Sequence, residues 1–452
     1  MICSPGPAGR PESAHEAFRI MTSIDRDGLP EPSAQAQAAS AALAQRIVER
    51  IDEAGGWIGF DRYMQDALYE PGLGYYSAPN PIFAEETGAG DFVTAPQMSA
   101  LFGRCIAVQC AQWLEQVGGS IVEFGAGTGA LAAQLLAAFD RTSVGPAEYV
   151  IVELSASLRE RQRRTIAAAV PQWLDRVRWL DRLPESIEGV IVANEVLDAM
   201  PVRIFRRTDT QIGELGVVHD AGRFEWAERP ADAEFAARVQ ERLHAAWTRY
   251  GHAGGDTPQT PEGQVQASGS AYVSELGEQA EAWVASVGSR LVRGAMLLID
   301  YGFPRHEFYH PQRATGTLRC HYRHRAHDDP FRWPGLQDIT AHVDFTAIAA
   351  AGRDAGLNLL GYASQARFLL DCGLLDAALS VPRDDPVRWT RETAAVQRLL
   401  SEAEMGELFK VIALGRGLED DAVGFRSRDR RAALRIDAGK STGPDLPGSG
   451  RC

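Results

Sequence analysis

The stretch "VEFGAGTGALA", residues 122–132, decides the fold of this chain. Its apolar start is typical of a buried strand, its glycines indicate a tight turn, and the run rich in alanine and leucine after them is typical of a helix. Gly125, Gly127 and Gly129 fit the turn that holds a dinucleotide, with alanine in the last position of the pattern, and they fit the turn that holds S-adenosylmethionine equally well. The turn by itself therefore leaves the ligand open.

The charged residues around the turn favour one of these ligands. Glu123 lies two residues before Gly125, and no lysine or arginine occurs from residue 119 to residue 140. A carboxylate there would oppose a pyrophosphate, whereas S-adenosylmethionine carries an ammonium and a sulfonium group and no phosphate. Glu153 ends the next predicted strand and can accept hydrogen bonds from the ribose hydroxyls of either ligand. The sequence predicts S-adenosylmethionine as the cofactor, with NAD as the disfavoured alternative.

Short apolar runs separated by helical segments continue after the turn and predict a doubly wound, Rossmann-like α/β sheet. A helix-forming segment precedes this region, and an alternating pattern after Pro201 predicts an inserted antiparallel and helical subdomain. The predicted organisation is a flexible N-terminal tail (1–34), a helical entry lobe (35–118), the first part of the core (119–205), the insertion (206–293), the second part of the core (294–417) and a flexible C-terminal tail (418–452).

Composition excludes several classes of protein. The net charge of -14, from 60 acidic and 46 basic residues, argues against binding to a nucleic-acid backbone. The six cysteines form no CxxC pair, which favours a reducing compartment. The chain shows no apolar run near 18 residues and no signal-peptide pattern, so we expect a cytoplasmic protein without membrane insertion.

Ordered sequence blocks make the chain resemble a known family. The blocks are "YEPGLGYYS" (69–77), "GDFVTAPQMSALFG" (90–103), "VEFGAGTGALA" (122–132), "NEVLDAMPV" (194–202), "LLIDYG" (297–302), "GTLRCHYRHRAHDDP" (316–330), "DITAHVDF" (338–345) and "ELFKVIALGRG" (407–417). From about Gly59 to about Gly415 the chain is similar to the MidA family of class I methyltransferases, which includes the mitochondrial complex I assembly methyltransferases. The resemblance implies a seven-stranded methyltransferase core with an extra lobe over the donor site, S-adenosylmethionine as cofactor and, for the mitochondrial members, dimethylation of a protein arginine.

Polar residues just past the predicted fourth strand are the candidates for binding the acceptor. Asn194, Glu195 and Asp198 lie where open α/β sheets bind their ligands. A guanidinium group is always protonated, and carboxylates can orient it through paired hydrogen bonds. We therefore assign Glu195 and Asp198 as candidate catalytic residues and Asn194 as a cofactor contact. The alternative is that Asn194 and Asp198 cap local turns and that Glu195 is structural.

Two further segments supply candidate contacts to the donor. Leu154, next to Glu153, is expected to line the donor site. The loop "GDFVTAP" contributes Asp91, Thr94 and Gln97, and the family resemblance implies that this loop closes over the donor, with Thr94 as a cofactor contact. The adjacent Tyr75 and Tyr76 are expected to be core anchors rather than ligand contacts.

Histidines and aspartates in two late segments raise the possibility of a metal site. "CHYRHRAHDD" contains His321, His324 and His327, and "DITAHVDF" contains His342 between two aspartates. An iron site would need a second distant histidine and a different scaffold, so no metal is predicted. His324 or His342 could instead orient acceptor groups or act as an acid or base, and the sequence does not choose between them.

The residues and the resemblance together predict an S-adenosylmethionine-dependent methyltransferase that acts on a protein arginine side chain, with a protein client as partner. The alternatives are a methyltransferase for a small molecule or another side chain, and an assembly factor that binds the donor without turnover.

Overall fold

The computed structural model describes residues 28–78, 94–250 and 271–434. The α-helices in these ranges are α1 (Ala34–Glu53), α2 (Phe60–Tyr69), α3 (Ala95–Met98), α4 (Ala100–Val117), α5 (Ala130–Phe139), α6 (Ala156–Ala169), α7 (Ala233–Trp247), α8 (Glu278–Arg290), α9 (Arg305–Phe308), α10 (Phe345–Asp354), α11 (Gln365–Asp371), α12 (Leu374–Leu379), α13 (Pro386–Leu400), α14 (Met405–Leu408) and α15 (Arg431–Leu434). The strands are β1 (Ile58–Gly59), β2 (Ser120–Phe124), β3 (Tyr149–Val152), β4 (Val177–Leu180), β5 (Ile187–Asn194), β6 (Arg203–Arg207), β7 (Ile212–Asp220), β8 (Arg223–Pro230), β9 (Tyr272–Leu276), β10 (Leu291–Phe303), β11 (Arg319–Tyr322), β12 (Arg325–His327), β13 (Asp338–Thr340), β14 (Val343–Asp344), β15 (Asn358–Ser364) and β16 (Phe409–Arg416).

The central sheet has seven main strands in the order β15-β16-β10-β5-β2-β3-β4, and the short β14 pairs with the end of β10. Strands β2 to β5 and β10 are parallel, whereas β16 runs antiparallel to both β10 and β15. Its central strands are apolar on both faces, as expected of parallel strands covered on both sides. The doubly wound fold and the seven-stranded core expected from the sequence are confirmed.

Helices bury both faces of this sheet. Helices α4 and α5 contribute Trp113 and Leu135 to a core that contains Ile121 and Val190 of the strands. Helices α8 and α10 pack on the opposite face in a second core. Helices α11 to α13, inserted between β15 and β16, extend the first core. Alternate strand residues therefore enter different cores, which fixes the sheet in register.

A second sheet joins the entry lobe to the insertion. Its path is β1-β7-β6-β9, with β8 paired to β7. Strand β1 belongs to the entry lobe and pairs antiparallel with β7 of the insertion, with Ile58 opposite Val217. Side chains of α1, α2, β6 and β7 share one core. The entry lobe and the insertion therefore form one structural unit beside the central sheet.

Two domain boundaries differ from those predicted. The insertion ends with β9, because Val284 and Val287 of α8 lie in a core of the central sheet rather than in the insertion. The chain after residue 418 is also not loose throughout, since Phe425 and Leu434 are buried. These apolar residues are few and stand among charged ones, so composition alone concealed their packing. Residues 1–27, 251–270 and 435–452, which include much of both predicted tails, lie outside the described residues.

Across the three described ranges, no helix has both the length and the apolar character required to cross a bilayer.

Candidate active site

A cavity of about 1110 Å³ lies at the carboxyl ends of the parallel strands. Its walls come from the glycine turn after β2, the ends of β3, β4 and β5, and the entry lobe. This is the edge at which open α/β sheets bind their ligands. All of the candidate cofactor and catalytic residues predicted from the sequence line it, except that Gly129 begins the helix behind the turn.

The glycine turn has a backbone that only glycine adopts readily. The φ angles of Gly125, Gly127 and Gly129 are 67°, 50° and 82°. A Cβ atom on Gly125 would lie 2.5 Å from Cγ2 of Val196, and one on Gly129 would lie 2.9 Å from the Cα atom of Gln162. The turn is therefore held tightly against the segment that follows β5 and against α6, and its exposed edge forms a wall of the cavity.

Glu123 is buried in the sheet below the turn. Its side chain lines the cavity, but its Oε2 atom accepts a hydrogen bond of 2.8 Å from the hydroxyl of Tyr149. Burial raises the pKa of Glu123 to about 7, and the bond from Tyr149 opposes this shift. The sequence analysis expected this carboxylate to point towards the turn. In the structure it has a hydrogen-bond partner within the sheet, and the position of a residue at a strand end does not predict such a contact.

Glu153 follows β3 and faces the cavity. Its Oε1 accepts a 2.8 Å bond from the backbone N–H of Ser155, and its Oε2 accepts a 3.1 Å bond from the side chain of Gln162. The same Gln162 amide donates to the carbonyl of Gly127 at 3.1 Å. Gln162 thus links Glu153, the residue predicted to bind the ribose, to the glycine turn. It stands within the arginine-rich "RERQRR" and gave no sequence signal.

The rim of the cavity near Glu153 contains an exposed leucine, which the sequence analysis predicted, and a strand end, which it missed. Leu154 is 78% exposed beside Glu153. Asp181, Arg182 and Leu183 follow β4 and line the cavity with it. The strand-end argument applied to "VRWL" would have found them, since Asp181 directly follows that apolar run.

The charges that line the cavity suit a cationic ligand. Among the described lining residues, the basic side chain is that of Arg182 alone. The acidic lining residues are Glu123, Glu153, Asp181, Glu195, Asp198 and Asp338. This excess of carboxylates opposes a pyrophosphate and favours ammonium and sulfonium groups. The buried Oδ1 of Asn194 also has no hydrogen-bond partner in the described structure. The glycine cradle and this donor set therefore fit S-adenosylmethionine.

The turn after β5 places the candidate catalytic residues. Glu195 has a φ angle of 54°, which is rare for a residue with a side chain. Its backbone N–H donates to the carbonyl of Ile299 at 2.9 Å, and its Oε1 accepts a 2.9 Å bond from Nδ2 of Asn194. Neighbouring groups thus hold the strained conformation, and strain of this kind is common at functional sites.

Asp300, at the end of β10, holds this turn from below and was missed in the sequence analysis. Its Oδ2 accepts backbone hydrogen bonds from Val196, Leu197 and Asp198 at 3.1, 2.8 and 3.3 Å. Its Oδ1 accepts a 2.9 Å bond from the N–H of Tyr301. An aspartate that ends the apolar strand "LLID" was the available signal.

Burial changes the protonation of all three acidic groups. Desolvation, and next the charge of Asp198, raise the pKa of Glu195 to about 7. Desolvation raises the pKa of Asp198 to about 6, against a hydrogen bond from Tyr301. The pKa of Asp300 is raised well above its ordinary value by burial and then by the charges of Asp198 and Glu195. The site therefore changes its charge close to neutral pH.

Tyrosines also form part of the cavity wall. Tyr69, Tyr75, Tyr76 and Tyr301 all line the cavity. Tyr75 is buried, as expected of a core anchor. However, Tyr75 and Tyr76 both line the cavity, so the prediction that they are core anchors is incomplete. The local sequence did not reveal this, because the cavity arises only when the lobe packs on the sheet.

The entry-lobe loop reaches the turn after β5. Thr94 precedes α3, and its backbone N–H donates to Oε1 of Gln97 at 3.1 Å. Both residues line the cavity. The N–H of Ala95 donates to the Glu195 carboxyl. This end of the loop therefore lines the cavity, while Asp91 lies outside the described residues.

The histidine-rich segments do not assemble a metal centre within the described part of the chain. His324 is exposed at the turn between β11 and β12. The ring of His342 packs 5.3 Å from those of Tyr301 and Phe303, and burial lowers its pKa to about 4. Neither histidine belongs to the cavity wall described above.

Comparison with known proteins identifies the family. Residues 105–363 match the family described as "Putative S-adenosyl-L-methionine-dependent methyltransferase". The chain belongs to this methyltransferase family. A COG1565 superfamily member from Burkholderia thailandensis, crystallised with S-adenosyl-homocysteine, is 48% identical to this methyltransferase, with a TM-score of 0.79 over 90% of this chain and 100% of that chain. S-adenosylmethionine is therefore the cofactor, and NAD is excluded as the ligand of the turn.

Curated relatives of this methyltransferase carry a more specific name. The protein arginine methyltransferase NDUFAF7, mitochondrial, of Mus musculus is 29% identical over 82% of this chain and 84% of the relative. The protein of the same name from Danio rerio is 27% identical over 82% of this chain and 85% of the relative.

Proposed function

We propose that this methyltransferase transfers methyl groups to the guanidinium of an arginine side chain in a protein. The observation that carries the proposal is a pair of carboxylates, the half-buried Glu195 and the buried Asp198, on the cavity that also contains the glycine turn. The Oδ1 atom of Asp198 is buried without a hydrogen-bond partner among the described residues. A guanidinium would supply the missing donors, and the curated relatives are named as arginine methyltransferases.

The arrangement of the carboxylates suits nitrogen methylation. When bound, S-adenosylmethionine supplies an electrophilic methyl group. Glu195 and Asp198 can orient the planar guanidinium and draw its positive charge away from the attacking nitrogen. With a pKa of about 7, Glu195 can also take up the proton that this nitrogen releases. Orientation and placement of charge are therefore the chain's contributions to the reaction.

The size of the cavity allows donor and acceptor to bind together. Pockets for one small ligand measure about 300–1,000 Å³, and this cavity of about 1110 Å³ exceeds that range. It can thus hold the donor together with an inserted side chain. We further propose a cytoplasmic location, as the composition suggests, although the curated relatives are named as mitochondrial.

The test is transfer of label from S-adenosyl-[methyl-³H]methionine to proteins of a bacterial extract by the purified enzyme. We expect labelled methylarginine after acid hydrolysis, and strongly reduced labelling with Glu195→Gln. Label on another amino acid or on small molecules would favour the alternative acceptors. Binding of the donor without any transfer would favour the assembly factor.

A further inference from the structure

We propose that Asp338 and Tyr76 form a second part of the acceptor site and hold the cationic side chain together with Asp198. The inference rests on the proposed function and extends it, because it assigns the residues that select a guanidinium. Asp338 comes from β13, in a small sheet outside the central fold, and Tyr76 comes from the entry lobe.

The position of Asp338 is the first step. Its side chain is 5% exposed and lines the cavity, although the sequence analysis assigned Asp338 itself no role in the site. The hydroxyl of Tyr76 donates to its Oδ1 at 2.9 Å. A buried carboxylate is stable only with hydrogen bonds or an opposite charge. The bond from Tyr76 orients one oxygen and leaves the carboxylate at the cavity surface.

Two tyrosines connect Asp338 to the turn after β5. The ring of Tyr69 stacks on that of Tyr76, with 5.5 Å between centroids. The hydroxyl of Tyr69 donates to the carbonyl of Ala199 at 3.0 Å, next to Asp198. The charges of Asp338 and Asp198 both raise the pKa of Tyr69, after the larger effect of burial. Tyr69 therefore lies near both carboxylates, which line one compartment of the cavity.

The chemistry of this compartment selects a cation with many donors. Asp198 has one unpartnered buried oxygen, and Arg182, the basic residue among the described lining residues, lies on the donor side beyond β4. A guanidinium offers five N–H donors in one plane, so it can bind carboxylates on both of its edges. Tyrosine faces add favourable interactions with a cation. A neutral amide side chain offers only two N–H donors and no positive charge to this compartment.

The experiment compares initial rates of the full-length enzyme on two pools of nine-residue peptides, with arginine or lysine fixed at the centre and the other positions randomised. For Asp338→Asn we expect the half-saturating concentration of the arginine pool to rise at least tenfold, with the maximal rate within threefold of wild type. Tyr76→Phe should show a smaller increase. The dissociation constant for S-adenosyl-homocysteine should change less than twofold in both variants.

Asp328→Asn is the matched control, because Asp328 follows β12, pairs with Arg319 and is not part of the cavity wall. It should behave as wild type. An unchanged half-saturating concentration in both Asp338→Asn and Tyr76→Phe would overturn the inference and leave the proposed function intact. A parallel loss of cofactor affinity and melting temperature would show a structural role instead. Failure of wild type to methylate the arginine pool would overturn both proposals.

Discussion

Under the proposed function, the protonation of the Glu195 carboxylate should control the rate. Glu195→Gln removes the charge but keeps the size, so we expect turnover on an arginine acceptor to fall tenfold or more. In wild type, kcat/KM should fall as the pH drops through about 7, because protonation of Glu195 removes the base. The measurement is the pH profile of both proteins together with donor affinity by calorimetry.

Donor affinity should be the same in both proteins, since Asn194 and the glycine turn remain. Wild-type turnover by Glu195→Gln would place the acceptor elsewhere, with Asp198 as the next candidate. A joint loss of donor binding and turnover would mean that Glu195 supports the fold of the turn.

Glu123 should make stability depend on pH. Its folded pKa of about 7 exceeds the ordinary value of 4.5, so the folded state binds more protons between these values. Its contribution to stability is thus present below pH 4.5 and is lost as the pH rises through 7. A shift of this size corresponds to about 3 kcal/mol. We expect the free energy of unfolding of Glu123→Gln minus that of wild type, measured in urea without cofactor, to be larger at pH 8 than at pH 5.

The same variant also tests the hydrogen bond from Tyr149. If the difference in the free energy of unfolding between variant and wild type is the same at both pH values, Glu123 ionises normally in the folded chain. Tyr149→Phe is a useful companion, since it removes the bond that favours the ionised form of Glu123 and should enlarge the pH effect.

At the scale of elements, the β2–α5 turn is predicted to bind the donor through its backbone conformation. Gly127 has a φ angle of 50° and lines the cavity, so Gly127→Val should abolish binding of S-adenosyl-homocysteine in calorimetry. Gly222→Val is the matched control. Gly222 also has a positive φ, of 81°, but it lies in the β7–β8 hairpin with no atom near its missing Cβ.

The control separates backbone strain from loss of the site. Both valines introduce strain and should lower the melting temperature, but only the one in the turn should affect binding. Full affinity in a folded Gly127→Val enzyme would show that the donor does not contact this part of the turn.

At the scale of the whole molecule, the segment after β16 belongs to the core. Phe425 is 4% exposed, and a Cβ atom on Gly361 of β15 would lie 2.3 Å from its ring. Its ring also packs on Phe368, with 5.4 Å between centroids. Phe425→Ala should therefore lower the free energy of unfolding by about 3–5 kcal/mol in urea titrations. Arg426→Ala, at an exposed neighbouring position, should have little effect on the free energy of unfolding. If Phe425→Ala is as stable as wild type, the segment behaves as the flexible tail predicted from the sequence.

The fold class was predictable because its signals are local. The apolar runs of β2, β3, β4 and β5 are continuous in the sequence, and the glycine spacing of residues 125–129 reports a backbone conformation directly. The positions of Glu153 and Glu195 followed from the same logic, since the ends of parallel strands meet at one edge of a sheet. The resemblance to a family added the number of strands in the core, and the structure supplied their order, which periodicity does not encode.

The remaining features depend on contacts between distant parts of the chain. The hydrogen bond between Tyr76 and Asp338 joins residues that are 262 positions apart in the sequence. The hydrogen bond from Val196 to Asp300 joins residues that are 104 positions apart. Such contacts exist only after the lobe, the insertion and the central sheet pack together, and no spacing rule in the chain specifies them. The sequence by itself therefore determined the sheet, the donor turn and the strand-end carboxylates, whose signals are local. The tertiary structure alone decided which side chains face them across the cavity, because close packing of separate elements sets those distances.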